Sequence, residues 1–60
     1  MKPKQRKEYL SYLIAACNTA AETAGNVLFG KPLTEEDIAD MDKHIRQAYW
    51  LIKELEKELK

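Results

Sequence analysis

One cysteine, one histidine, two glycines and two prolines among sixty residues exclude several kinds of protein at the outset. A single cysteine makes no internal disulfide, and one Cys with one His is too small a ligand set for a structural zinc within one chain. Two glycines supply no glycine-rich phosphate loop, and no nucleophile elbow or metalloprotease motif is present. Charge of one sign is also lacking, because ten basic residues balance ten acidic ones. A protein held to nucleic acid by bulk attraction needs a strongly basic surface, so zero net charge leaves only a local basic patch for such a role. Finally, no long apolar run occurs. The stretch Tyr9–Gly30 approaches spanning length behind a basic start, but Asn18, Thr19, Glu22, Thr23 and Asn26 interrupt it. A carboxylate at mid-span costs roughly 2.5–3.5 kcal/mol on insertion scales, so neither a membrane helix nor a secretory segment is expected. A lone cysteine fits a reducing compartment, and the expected location is the cytoplasm.

What is present is periodicity. Leu10, Ile14, Cys17, Ala21, Ala24 and Leu28 recur at spacings of four and three, and so do Ile38, Met41, Ile45, Ala48, Ile52, Leu55 and Leu59. Each set falls on one stripe of a helix. Between them lies Gly30-Lys31-Pro32, where glycine ends a helix and proline blocks its continuation. Pro3, lacking an N–H, suits a first helical turn. Thr34 reads as the second N-cap, with Glu35, Glu36 and Asp37 at the positive end of the helix dipole. Asp37, three residues after Thr34, makes a near capping box, and Leu33 with Ile38 a hydrophobic staple. The expected fold is all-α: an antiparallel helical hairpin of helices at about 3–29 and 35–60, one domain over 1–60.

A register follows if residues whose numbers add to about 62 lie level. Ala24 then meets Ile38, Ala21 meets Met41, Cys17 meets Ile45, Ile14 meets Ala48 and Leu10 meets Ile52, large against small. The same register sets Lys2, Lys4, Arg6 and Lys7 beside Glu54, Glu56 and Glu58.

One partner helix does not exhaust the apolar surface. Leu13, Ala16, Ala20 and Val27 widen the first stripe, and between Tyr9 and Gly30 the only charge is Glu22. Tyr49, Leu51, Leu55 and Leu59 do the same for the second helix. A helix nearly uncharged around its circumference is buried on more than one side, and a domain this small gains from a staple such as a second subunit. These eight residues are therefore the expected self-association set, and the expected assembly is a homodimeric four-helix bundle.

Trp50 stands among cations at helical spacing: Lys43, Arg46, Lys53 and Lys57. On the heptad it falls opposite the seam. An indole ringed by cations suits a protein-binding hot spot or, with less support, a base-stacking platform for RNA or DNA. Packing against a second hairpin, with lysine stems over the ring, is the structural alternative. Cys17 and His44 come level in this register, and two copies would assemble Cys2His2. Cys17 as a small seam hydrophobe and Asp40 as a simple partner for His44 account for both without zinc. The residue three before His44 is Met41, so the Glu-x-x-His motif of di-iron bundles is missing. No catalytic residue, cofactor or small-molecule substrate is expected.

The functional expectation is a small regulatory or adaptor protein that binds another protein, as a homodimer. RNA or DNA binding by a four-helix bundle is the alternative, with an architectural likeness to plasmid copy-control hairpins that extends to no shared motif. The ending Lys-Glu-Leu-Glu-Lys-Glu-Leu-Lys also has the surface composition of an engineered helical scaffold.

Overall fold

The computed structural model describes residues 1–59, and Lys60 lies outside the described residues. Helix α1 spans Pro3–Leu28 and helix α2 spans Glu35–Glu56, followed by a single 3-10 turn at Lys57–Leu59. Pro3 opens α1 as expected. At the other end of α1, Gly30 takes φ +125°. The Gly30 N–H donates to the Val27 carbonyl and the Lys31 N–H to the Asn26 carbonyl. This paired closure is a Schellman motif, and it needs a residue without Cβ at that left-handed position.

The start of α2 is fully capped. The Asp37 N–H donates to Thr34 Oγ1 at 3.1 Å, and the Thr34 N–H donates to the Asp37 carboxylate at 3.0 Å. Aspartate thus completes the box usually closed by glutamate. The expected staple is weaker, since Leu33 and Ile38 are both more than half exposed. Helix α2 stops at Glu56, short of the expected 60. No glycine follows it in the sequence, and the terminal turn tightens into 3-10 geometry at Lys57–Leu59.

The two helices run antiparallel as a rod of 43 × 15 × 13 Å. Arg6 reaches Glu58 and Thr23 reaches Asp40, so level residues have numbers adding to 64 and 63. The anticipated axial register is therefore right to within two residues.

The rotation of the helices differs from the expectation. Turned inward are Tyr9, Leu13, Ala16, Ala20, Thr23 and Val27 of α1, against Asp37, Met41, His44, Ala48, Leu51 and Leu55 of α2 and Glu58 of the terminal turn. Every expected seam position of α1 is replaced by its predecessor in sequence, and so are Ile38, Ile45, Ile52 and Leu59, whereas Met41, Ala48 and Leu55 keep their inward place. Leu10, Ile14, Cys17, Leu28, Ile38, Ile45, Ile52 and Leu59 stay exposed, and Ala48 alone of the expected set is buried. Helix α1 carries two apolar stripes one residue apart, whereas the inward stripe of α2 mixes Met41, Ala48, Leu51 and Leu55 with Asp37 and His44. Ala16, Ala20 and Ala48 let the backbones approach, and Leu51, 2% exposed, fills the space between them. The same rotation lets the Thr23 hydroxyl donate to the Asp40 carboxylate at 3.0 Å.

Candidate interaction surfaces

Stepping one residue along a right-handed helix turns the side chain by about 100°. Viewed from one end, antiparallel helices turn in opposite senses. Residues one step past the seam therefore point to the same side of the hairpin in both helices. On that side lie Leu10, Ile14, Cys17, Ala21 and Leu28 of α1 and Ile38, Ile45 and Ile52 of α2, with Tyr49 at the edge. Ile14 is 62% exposed and Ile45 52%. The stripe from Leu10 to Leu28 contains no charge. Surface of this kind on two adjacent helices gathers exposed apolar side chains on one side of the hairpin rather than scattering them singly.

The residues sheltered inside the single chain are few. Among the described residues only Ala16, Ala20, Ala48 and Leu51 are buried. A folded chain of 7.0 kDa exposes about 4,000 Å² by the size scaling of monomeric proteins, whereas this one exposes 4894 Å².

This placement changes the expected self-association set. Leu13, Ala16, Ala20, Val27, Leu51 and Leu55 are buried or half-buried and serve the contact between α1 and α2, because the seam takes the stripe they belong to. Tyr49 and Leu59 remain exposed. The exposed apolar face is instead built from the heptad that the sequence pattern assigned to the seam, apart from Met41, Ala48 and Leu55, which stay inward. On α1 both stripes are apolar, and periodicity does not separate them.

The opposite side is polar and aromatic. Trp50 is 53% exposed. Its ring lies 5.9 Å from that of Tyr9, tilted by 47°. It therefore flanks the seam rather than standing opposite it, a consequence of the rotation that brings neighbouring Leu51 inward. Tyr12, Ala15, Ala16, Thr19, His44 and Gln47 line a shallow groove of about 160 Å³ beside it. Met1, Gln5, Tyr9, Glu54, Lys57 and Glu58 line a second of about 250 Å³. Both are below the roughly 300 Å³ at which small-molecule pockets begin. Sequence reasoning missed the grooves. The signal for the first is the small-residue pair Ala15-Ala16 with Thr19 one turn on, which leaves room beside larger neighbours.

The cations around Trp50 are mostly engaged. Arg46 donates to Asp42 at 2.7 Å, Lys57 pairs with Glu54 at 2.6 Å and Lys53 with Glu56 at 3.6 Å. The Lys53 ammonium also sits 5.0 Å from the centre of the Tyr49 ring. The Tyr49 hydroxyl and the Glu56 charge together raise its pKa, and the Asp42 carboxylate raises that of Arg46. Lys43 has no ion pair among the described residues. At the N-terminal end, Arg6 makes a forked contact with Glu58, its Nε and Nη2 donating at 2.7–3.0 Å. The contact holds the Glu58 carboxyl below its usual range and raises Arg6. Cations at a helix N-terminus oppose the dipole, and this carboxylate from α2 offsets that.

Cys17 is exposed on the apolar side. His44 faces the seam, 3.4 Å from the Asp40 carboxylate. Among the described residues no group of three His, Cys, Asp or Glu converges for a metal, and no helix is long and apolar enough to cross a membrane. No family model matches the chain, nor does any curated protein or solved structure.

Proposed function

We propose that this chain is a small regulatory or adaptor protein of the cytoplasm that acts by binding other proteins, without catalysis, and that two hairpins join as a homodimeric four-helix bundle. The supporting observation is the two-helix face on which Leu10, Ile14, Leu28, Ile38, Ile45 and Ile52 stand in solvent, uncharged on α1 and carrying Asp42 and Glu56 on α2. A seam of three alanines and one leucine supplies little burial, and a second apolar layer is the common remedy in small helical proteins. With that face occupied, the surface left for a further partner is the side bearing Trp50, with Lys43, Arg46, Lys53 and Lys57 around it. An aromatic anchor within a charged rim is the usual composition of a binding hot spot.

Sedimentation equilibrium tests the assembly: a mass of two chains is expected, and a single-chain mass throughout the micromolar range refutes it. The Trp50 surface is tested on partners captured from the native host. Trp50→Ala abolishes capture if the indole is the anchor, while the dimer mass stays unchanged. If capture instead recovers RNA or DNA, falls steeply with salt and is lost on changing Lys43, Arg46 and Lys53 to Gln, nucleic acid is the ligand and the adaptor reading fails. The ion pairs of Arg46, Lys53 and Lys57 count against that outcome, since phosphates would have to displace carboxylates.

A further inference from the structure

Resting on the proposed self-association, we infer the geometry of the pair: the second copy packs face to face with the two-fold axis running along the helices, so that α1 of each copy lies on α2 of the other. The apolar side described above is the contact. The chain exposes roughly 850 Å² more than the scaling for its mass allows, and a standard interface buries about 800 Å² per partner. One such contact accounts for the excess.

Two flat helical layers stacked face to face admit two in-plane symmetry axes, and side-chain size separates them. The stripe on α1 is small at its middle, with Cys17, Ala21 and Ala24, whereas α2 presents Ile38, Ile45 and Ile52 at seven-residue spacing. An axis along the helices preserves level. Within the two residues that separate the observed register from a sum of 62, Ala24 then lies nearest the partner subunit's Ile38, Cys17 nearest the partner's Ile45, and Leu10 nearest the partner's Ile52. Large meets small near the turn and at the centre, as close packing requires. An axis across the helices reverses level. With the axis at the level of Cys17 and Ile45, it stacks α1 on α1, with Cys17 against its own copy, and α2 on α2, with Ile45 against its own copy. That leaves a gap on one side and crowding on the other.

Charge at the rim agrees. With the axis along the helices, Lys7 of one copy comes level with Glu56 of the partner subunit, the acidic residue that continues the α2 stripe. The size pattern that the heptads promise within one chain is thus satisfied between two.

Cysteine cross-linking in the full chain tests the geometry. Ile45→Cys in the presence of native Cys17 is expected to give a covalent dimer on oxidation with copper-phenanthroline, read on a non-reducing gel, because facing positions on packed helices come within disulfide reach. Cys17→Ser combined with Ile45→Cys is expected to give none. As an independent pair, Leu10→Cys with Ile52→Cys in the Cys17→Ser background is expected to cross-link between chains. A covalent dimer from Cys17→Ser/Ile45→Cys establishes the crosswise axis and overturns the inference. So does a disulfide closed within one chain, or a chain that sediments as a dimer yet cross-links in none of these variants. A monomeric mass refutes the self-association reading itself, and the two failures are thereby distinct.

Discussion

Ile45 is the sharpest place to strike the assembly, since it lies at the centre of the apolar side and takes no part in the α1–α2 seam. Ile45→Ala removes three carbons, each worth about 0.8 kcal/mol when fully buried. The residue is 52% exposed in the single chain, so association buries about half of that value, roughly 1.2 kcal/mol per copy. Two copies in a symmetric dimer double it to about 2.4 kcal/mol, equivalent to a Kd raised about 50-fold. A cavity left in the interface adds to the loss. In a hairpin that stays single, the same change at an exposed helical site moves stability by only about 0.5 kcal/mol, and in the favourable direction, because alanine is the better helix former. Sedimentation equilibrium over a dilution series, with melting temperature followed at each concentration, separates the cases. Ile45→Ala is expected to shift the dissociation curve to higher concentration and lower the melting point most at low concentration. Gln47→Ala on the other side serves as the control that leaves both unchanged. An Ile45→Ala curve that overlays the wild type refutes the reasoning.

Other expectations follow from single contacts. Leu51→Ala empties the one large buried position and should cost about 2–5 kcal/mol in urea denaturation at a concentration where the wild type is fully assembled; a loss below about 1 kcal/mol would show that the seam is not where the core lies. Thr34→Ala removes the oxygen that accepts from the Asp37 N–H and should lower stability by about 1 kcal/mol, whereas Thr34→Ser should be nearly neutral. Acidification should lower the melting temperature from about pH 5 downward. The Asp37 carboxyl is held below its usual range by Lys31 and by the Thr34 N–H, and Glu58 by Arg6. Their contribution is present above the unfolded carboxylate range and lost as pH falls through the depressed folded values. Asp37→Asn with Glu58→Gln should flatten that acid limb, and an unchanged slope would contradict the assignment.

Local chemistry made much of the hairpin legible. Pro3, Gly30, Thr34 and Asp37 act within a few residues of themselves, so their roles follow from sequence alone, and helix starts and the turn came out as read. Axial register was legible too, because the turn is short and fixes which residues lie level. Rotation about each helix axis was not. Stripes at Leu10/Ile14/Cys17/Ala21 and at Tyr9/Leu13/Ala16/Ala20 are both apolar and only about 100° apart, and periodicity does not rank them. Close approach at Ala16, Ala20 and Ala48 decided it, together with the Thr23–Asp40 hydrogen bond, and these are contacts across the pair. Trp50 was misplaced for the same reason: one residue of rotation carries it from the back of α2 to the flank of the seam. The grooves beside it depend on side chains that are missing rather than present, a signal that a search for chemically active residues overlooks.

A centre made almost wholly of methyl groups has a cellular corollary. In the proposed homodimer, chains too dilute to meet lose the apolar layer that the partner supplies, and open backbone is what proteases cut. For such an assembly synthesis rate sets more than quantity, because scarce molecules are cleared while abundant ones persist.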